Sequence, residues 1–169
     1  TKSFIKIESK ISKSSSFENV FMETTFKNKT LSSVTQAGLV NNLNDGMIWG
    51  LLPILLISIN LDTEQIGIIA AAYPTFWGIG QLFTGKMSDF YSKKKMLFWG
   101  MFVQGISILF LPFISDFILL LSLSILLGIG TAIVYPTFLT VIAEESSPLQ
   151  RAESIGAFRL WRDLGYAIG

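Results

Sequence analysis

The chain has 169 residues, of which 50% are hydrophobic and 15% are charged, and its formal net charge is +1. Soluble domains contain about 25% charged residues, so the composition argues against a water-soluble domain. The balanced charge argues against nucleic acid as a partner, because nucleic acid requires a basic face. Cysteine and histidine are absent, which excludes disulfides and thiolate or imidazole chemistry. We therefore expect no enzyme, no metal site and no cofactor.

The first thirty residues differ from the rest of the chain. They hold six of the thirteen Lys and Arg residues and three of the twelve Asp and Glu residues, together with many serines. Because no apolar run follows the lysines, residues 1–30 do not look like a cleaved signal peptide. We predict a mobile cytoplasmic N-terminal tail, with an amphipathic segment on the membrane surface as the alternative.

Apolar segments follow this tail one after another. We predict helices at about residues 31–60, 65–85, 96–115, 117–143 and 152–169, the last of them truncated. The middle three contain no ionisable side chain, and at ~1.5 Å per residue each can cross a hydrocarbon layer of roughly 30 Å. The sequence predicts an all-α membrane protein whose residues 31–169 form five transmembrane helices of an incomplete bundle, with the lipid bilayer as partner.

The basic residues of the connections predict the orientation of the chain. Eleven lie on one side of the predicted spans, and the connections on the other side have none; the eleven are Lys2, Lys6, Lys10, Lys13, Lys27, Lys29, Lys86, Lys93, Lys94, Lys95 and Arg151. Connections rich in Lys and Arg remain in the cytoplasm. We therefore expect a multi-pass protein of the cell membrane with a cytoplasmic N-terminus.

Four ionisable residues lie inside predicted spans: Asp45, Arg159, Arg162 and Asp163. A charge near the centre of a membrane helix costs about 2.5–3.5 kcal/mol, so each is a functional hypothesis by default. Arg159, Arg162 and Asp163 share one face of the fifth helix with Tyr166, since the spacing is i, i+3, i+4 and i+7.

A similar polar stripe on the first helix contains Asn41, Asn44 and Asp45. Counted from the predicted starts of the two helices at ~1.5 Å per residue, Asp45 and Arg162 lie at nearly the same depth. Two interpretations stay open. The charges form a salt-bridge and amide network that joins the first and fifth helices, or they line a cavity for a solute or coupling ion.

Small residues and a repeated tetrapeptide occur within the spans. Gly46 with Gly50, and Gly165 with Gly169, have the four-residue spacing of helix-packing positions. The tetrapeptide YPTF occurs at Tyr73 and again at Tyr135. The two copies lie on the second and fourth spans, which are not a pair that a three-helix repeat would match, so we interpret the repetition as coincidence.

The connection between the second and third spans carries the most specific motif. Its residues GKMSDFYSKKKML place an acid four residues after a glycine and then three lysines, which are Gly85, Asp89, Lys93, Lys94 and Lys95. This pattern resembles the signature of the major facilitator superfamily. Phe90 and Ser92 depart from it, at positions where a base and a glycine are usual.

The resemblance extends over the chain from about residue 33, including a fifth helix that ends in RDLGYAIG. It implies twelve helices in two halves around a central cavity, so that the C-terminal half of the same protein is a missing partner. It also implies that Asp89 and the lysines form a cytoplasmic gate that stabilises an outward-open state. Many proton-coupled members have an arginine in the fourth helix where this chain has Ser124.

These features predict a secondary active transporter that moves a small-molecule solute by alternating access. The alternative is a non-transporting sensor or assembly subunit on the same helices. A membrane-embedded enzyme is disfavoured, since the chain offers no nucleophile with its base and no paired carboxylates.

Overall fold

The computed structural model describes residues 17–169, apart from the side chains of Phe17, Ser88 and Asp89. A short helix, α1 (Phe17–Met22), continues into a π-helical turn, Glu23–Lys27. Five long helices follow: α2 (Lys29–Ser58), α3 (Thr63–Phe90), α4 (Lys93–Phe110), α5 (Phe117–Glu145) and α6 (Arg151–Ile168). No strand occurs in this part of the chain. The prediction of an all-α protein is confirmed.

Polar side chains mark the starts of three long helices. The side-chain oxygen Oδ1 of Asn28 accepts hydrogen bonds from the amides of Thr30 and Leu31 at 2.9 and 3.1 Å. Asp62 and Gln65 form a reciprocal capping box at the start of α3, and Asp116 accepts from the Leu119 amide at 2.9 Å. These caps satisfy amides that have no partner inside their own helix, so the helix starts are determined locally.

The segment before α2 differs from the tail that the sequence predicted. Residues 17–27 are helical, and Val20, Thr24 and Thr25 are 3%, 0% and 4% exposed. The indole nitrogen of Trp161 in α6 donates to the Thr25 hydroxyl at 3.1 Å. For these residues the prediction of a mobile tail is wrong, because they bury side chains against the bundle. Residues 1–16 lie outside the described part of the chain.

The connection between α3 and α4 is shorter than expected. Helix α3 continues to Phe90 and α4 begins at Lys93, so Gly85 lies within a helix and only residues 91 and 92 connect the two. Pro53, Pro74 and Pro136 are inside helices. Pro112 instead lies in a 3-10 turn, Leu111–Phe113, that ends α4.

Helix α5 lies at the centre of the bundle. It packs closely against α3 and α4, while α2 packs against α6 and also contacts α5. Buried apolar side chains form two clusters. One contains Leu52, Leu56, Leu120 and Leu127, and the other contains Val34, Phe138 and Phe158. Along α2, the polar residues Asn41 to Asp45 lie between the positions that enter these two clusters.

Glycines bring α2 and α6 into close contact. A Cβ atom on Gly165 or Gly169 would collide with the backbone of Leu39 or Leu43, respectively, and one on Gly46 would lie 2.7 Å from the Tyr166 carbonyl oxygen. At Gly50 a Cβ atom would meet open space, so the predicted packing role does not hold there. The close approach places Asp45 and Arg162 on neighbouring helices.

Much of the surface is apolar. Leu82, Phe83, Phe98 and Ile54 are 60–75% exposed, which is typical of a surface that contacts lipid or another protein. Within the described residues, three helices are long and apolar enough to cross a membrane: Thr63–Met87, Lys93–Phe113 and Phe117–Glu145. Helices α2 and α6 do not meet the same criterion of length and composition.

Candidate functional site

A cavity of about 680 Å³ opens between α2, α3, α5 and α6. Its walls combine aromatic rings with amides, hydroxyls and two charged groups, although the helices around it are mostly apolar. The lining residues are Asn41, Asn42, Asp45, Trp49, Tyr73, Pro74, Trp77, Gly78, Gln81, Thr131, Tyr135, Arg162 and Tyr166.

The Asp45 carboxylate is bound by a tyrosine. The Tyr73 hydroxyl donates a hydrogen bond to Oδ1 of Asp45 and lies 3.4 Å from the Thr131 hydroxyl. Tyr73 and Thr131 are only 2% and 1% exposed, so neighbouring side chains hold this pair in place. The contact joins α2 to α3 at the wall of the cavity.

Arg162 has two partners of its own. Its Nε and Nη2 atoms donate to Oδ1 of Asp163 at 2.9 and 2.6 Å, and its Nη1 donates to the Tyr135 hydroxyl at 3.0 Å. The guanidinium carbon also lies 5.5 Å from the centre of the Tyr135 ring, within the range of a cation–π contact. The arginine charge is thus balanced by its neighbour in sequence.

The cavity contains some of the residues that the sequence singled out. Asn41, Asp45, Arg162 and Tyr166 line it. Asn44, Arg159 and Asp163 are not among its lining residues, and Arg159 and Asp163 are exposed.

The ion pairs of the described residues are Lys93 with Glu144 and Arg162 with Asp163. Asp45 therefore forms no salt bridge with the arginines of α6 in this part of the chain. The close contact of α2 with α6 comes from glycine packing instead, so the predicted salt-bridge network between these helices is wrong in its contacts.

Apart from Tyr166, sequence reasoning missed the aromatic residues of the cavity. Tyr73 and Trp77 are stacked with ring centres 6.4 Å apart, and Trp49 and Tyr135 contact this pair edge-on at 6.0 and 6.4 Å. Tyr73 and Tyr135 each begin a copy of YPTF, and each binds one of the two charged groups of the cavity. The repeated tetrapeptide therefore contributes two cavity residues that the sequence analysis did not single out as site residues.

Two polar atoms near the cavity have no partner within the described structure. They are the Oδ1 atom of Asn41 and the Nε1 atom of Trp77, both fully shielded from solvent. Asn41 as a whole is 2% exposed. A buried polar atom without a hydrogen-bond partner costs about 1–3 kcal/mol, so a ligand group that reached either atom would recover this cost. No group of three or more acidic side chains that could hold a metal ion occurs in the described part of the chain.

The residues of the loop motif lie near the C-terminal end of α3 and at the start of α4. Gly85 is inside α3, and Lys93, Lys94 and Lys95 form the first turn of α4. The Lys93 amine pairs with Glu144 near the end of α5 at 3.0 Å, while Lys94 and Lys95 are exposed. The side chain of Asp89 is outside the described structure. A second cavity of about 590 Å³ beside Lys93 and Lys94 reaches Lys29 in α2.

Comparison with known proteins identifies the relatives of this chain. The sequence profile of the Major Facilitator Superfamily matches residues 35–169. The chain is 29% identical over 127 residues to the "Uncharacterized MFS-type transporter MJ1560" of Methanocaldococcus jannaschii, an alignment that covers 75% of this chain and 33% of that protein.

A similar level of identity links it to the "Hexuronate transporter" of Bacillus subtilis, at 28% over 137 residues, 78% of this chain and 31% of that protein. The "Uncharacterized MFS-type transporter YwoD" of the same species is 23% identical over 139 residues, 82% of this chain and 30% of that protein. The chain thus spans about a third of the length of these relatives. No solved structure matches it.

Proposed function

The chain belongs to the major facilitator superfamily, and from this premise we propose that it is part of a secondary active transporter that moves a small solute across a membrane by alternating access. The observation that carries the proposal is the cavity between α2, α3, α5 and α6, where Asp45 and Arg162 lie inside an otherwise apolar bundle. Ionisable groups at this depth are costly and are retained for function.

We assign the solute contacts to the predicted residues that line the cavity: Asn41, Asp45, Arg162 and Tyr166. Asp163 positions the Arg162 guanidinium through two short hydrogen bonds. Tyr73 holds Asp45 in the same way. As the cavity opens and closes, Asp45 changes its partners, which include a proton, a solute group or the arginine.

We further propose that all five long helices cross the membrane, with the N-terminus in the cytoplasm. Helix α2 has 30 residues and α6 has 18, so at ~1.5 Å per residue they are about 45 and 27 Å long. Some of the polar residues that lower their hydropathy face the cavity, namely Asn41, Asp45 and Arg162. On this orientation Asp89 and the lysines of α4 form a cytoplasmic gate with a C-terminal half.

Transport by the complete protein in proteoliposomes tests the proposal. A panel of labelled anionic, neutral and cationic solutes should include hexuronate, which appears in the name of one relative. At least one solute should show saturable uptake above protein-free vesicles. No uptake of any class, together with a large extramembrane domain in the complete sequence, would favour a sensor or assembly subunit.

Two substitutions then separate a functional role of the charges from a structural one. We expect Asp45→Asn or Arg162→Ala to lower uptake far more than the amount of folded protein in the membrane, because both side chains line the cavity. Glu64→Gln is the matched control, since Glu64 is exposed in the first turn of α3. Equal losses of uptake and of folded protein would assign the charges a structural role.

A further inference from the structure

The two charged groups of the cavity are not equivalent. Arg162 has an oppositely charged partner, since its Nη2 atom lies 2.6 Å from Oδ1 of Asp163. Asp45 receives a hydrogen bond from the neutral Tyr73 hydroxyl and takes part in neither ion pair of the described residues. The cavity therefore contains a carboxylate whose charge no neighbouring cation balances by direct contact.

A second acceptor lies one helical turn from this carboxylate. Asn41 precedes Asp45 by four residues, so both side chains lie on the same face of α2, and both line the cavity. The Oδ1 atom of Asn41 is buried and has no donor. The pair thus offers two oxygen acceptors to a group that carries several N–H donors.

Aromatic rings surround the same face of α2. Trp49 follows Asp45 by four residues, and Trp49 and Tyr166 both line the cavity while remaining 46% and 49% exposed. Ring faces attract cations, most strongly when the site is shielded from water. A carboxylate, an unpaired amide oxygen and accessible aromatic rings are together the partners that an ammonium group needs.

We propose that this cavity binds an organic cation, whose ammonium group lies between Asp45 and Asn41 and contacts the rings of Trp49 and Tyr166. The inference rests on the proposed function and names its substrate class. It also removes Arg162 from the solute contacts assigned above, because Asp163 already balances the arginine charge. An anion would have to displace Asp163 from Arg162 and would then lie near the Asp45 carboxylate.

Calorimetric titration of the complete protein with three probes of nearly equal size tests this assignment. The probes are phenethylamine, 2-phenylethanol and phenylacetate, which are cationic, neutral and anionic. We expect saturable binding of the amine alone. Comparable binding of phenylacetate or of the alcohol, or no saturable response to the amine, would overturn the proposal.

Variants locate the binding to these residues. Asp45→Asn should weaken amine binding about tenfold or more, equivalent to about 1.4 kcal/mol, and Trp49→Leu should weaken it several-fold. Trp49 is half exposed, so the second variant keeps the test valid if Asp45→Asn does not fold. Glu64→Gln, far along α3 from the cavity residues, should bind the amine like the parent. Amine affinity that is unchanged in folded Asp45→Asn or Trp49→Leu protein would contradict the proposal.

Asp163→Asn tests whether Asp163 is what prevents an anion from binding at Arg162. Because this change removes the charge that balances Arg162, it should create measurable phenylacetate binding.

Uptake measurements with the same probes separate this inference from the transporter proposal. Amine binding without uptake of any probe would support the cation site and contradict the transporter proposal. Uptake of only the anion or the alcohol would support the transporter proposal and contradict the cation site.

Discussion

At the scale of single residues, the cavity is organised by two tyrosines. Tyr73 donates to Asp45 and Tyr135 accepts from Arg162. A phenol is neutral, so it satisfies one hydrogen-bonding position of each charged group without cancelling the charge. In the proposed cation site, the Asp45 charge is therefore left for a ligand to balance, which an arginine partner would prevent.

We expect Tyr73→Phe to lower the free energy of unfolding by about 1.5–3 kcal/mol, the usual net contribution of a hydrogen bond to a charged group. The ring is retained, so its stacking with Trp77 should persist. Thermal unfolding of the purified protein measures the change. Tyr91→Phe is the matched control, because Tyr91 is 63% exposed. Equal midpoint shifts for the two variants would show that the Asp45 contact contributes nothing.

At the scale of helices, α2 and α6 cross in close contact. Glycines at positions 46, 165 and 169 leave no room for a Cβ atom at this crossing. Small residues allow backbones to approach and to gain packing energy in a membrane, where burial of apolar surface supplies little driving force. The position of Arg162 relative to Asp45 therefore depends on these glycines.

Gly165→Ala should destabilise the bundle by about 1–3 kcal/mol, the usual cost of overpacking a well-packed contact, because its Cβ atom would collide with the Leu39 backbone. Gly156→Ala in the same helix meets nothing within 4 Å and should be neutral or stabilise slightly. Thermal unfolding of both variants checks this difference. A larger loss for Gly156→Ala would contradict the observed crossing.

The helical segment before α2 is fixed to α6 by Trp161. Its indole donates to Thr25, and its ring is stacked with Phe21 at 6.4 Å. Trp161→Phe keeps an aromatic ring but removes the hydrogen bond, which contributes about 0.5–1.5 kcal/mol. We expect tryptic cleavage after Lys27 to become about 2–10 times faster, because losing this free energy raises the fraction of molecules in which the segment is detached from α6.

Trp99→Phe is the control for this measurement, since Trp99 in α4 is 57% exposed and lies outside the contact with Thr25. Its cleavage rate after Lys27 should equal that of the parent. If Trp161→Phe is cleaved no faster than Trp99→Phe, the Trp161 hydrogen bond does not hold the segment in place.

At the scale of the whole molecule, the basic residues of the described connections lie at one end of the bundle, and the described connections at the other end have none. Lys93, Lys94 and Lys95 begin α4 beside the end of α5, where Lys93 pairs with Glu144. The connection between α2 and α3 contains Asp62 and no basic residue. This asymmetry supports the proposed orientation, in which the loop motif lies at the cytoplasmic face.

We expect Asp89→Ala in the complete protein to shift the population towards the inward-open state, because the proposed gate loses its acid. Since this chain has no cysteine, Trp49→Cys in the cavity gives a single reporter here, provided that cysteines elsewhere in the protein are replaced. Labelling of this cysteine by a membrane-impermeant reagent from outside should slow. Unchanged labelling, or equal slowing by Glu64→Ala at the opposite end, would contradict the gate.

The sequence by itself determined the helical class and the family. Apolar length, helix caps such as Asp62 and the spacing of Asn41 and Asp45 act within one helix, so they can be read from neighbouring residues. Only the tertiary structure decided which groups meet. The partners of Asp45 and Arg162, the docking of Thr25 on Trp161 and the aromatic wall depend on how each helix is rotated and how closely it crosses the next. Those quantities arise from contacts between residues far apart in the chain, which local periodicity does not record.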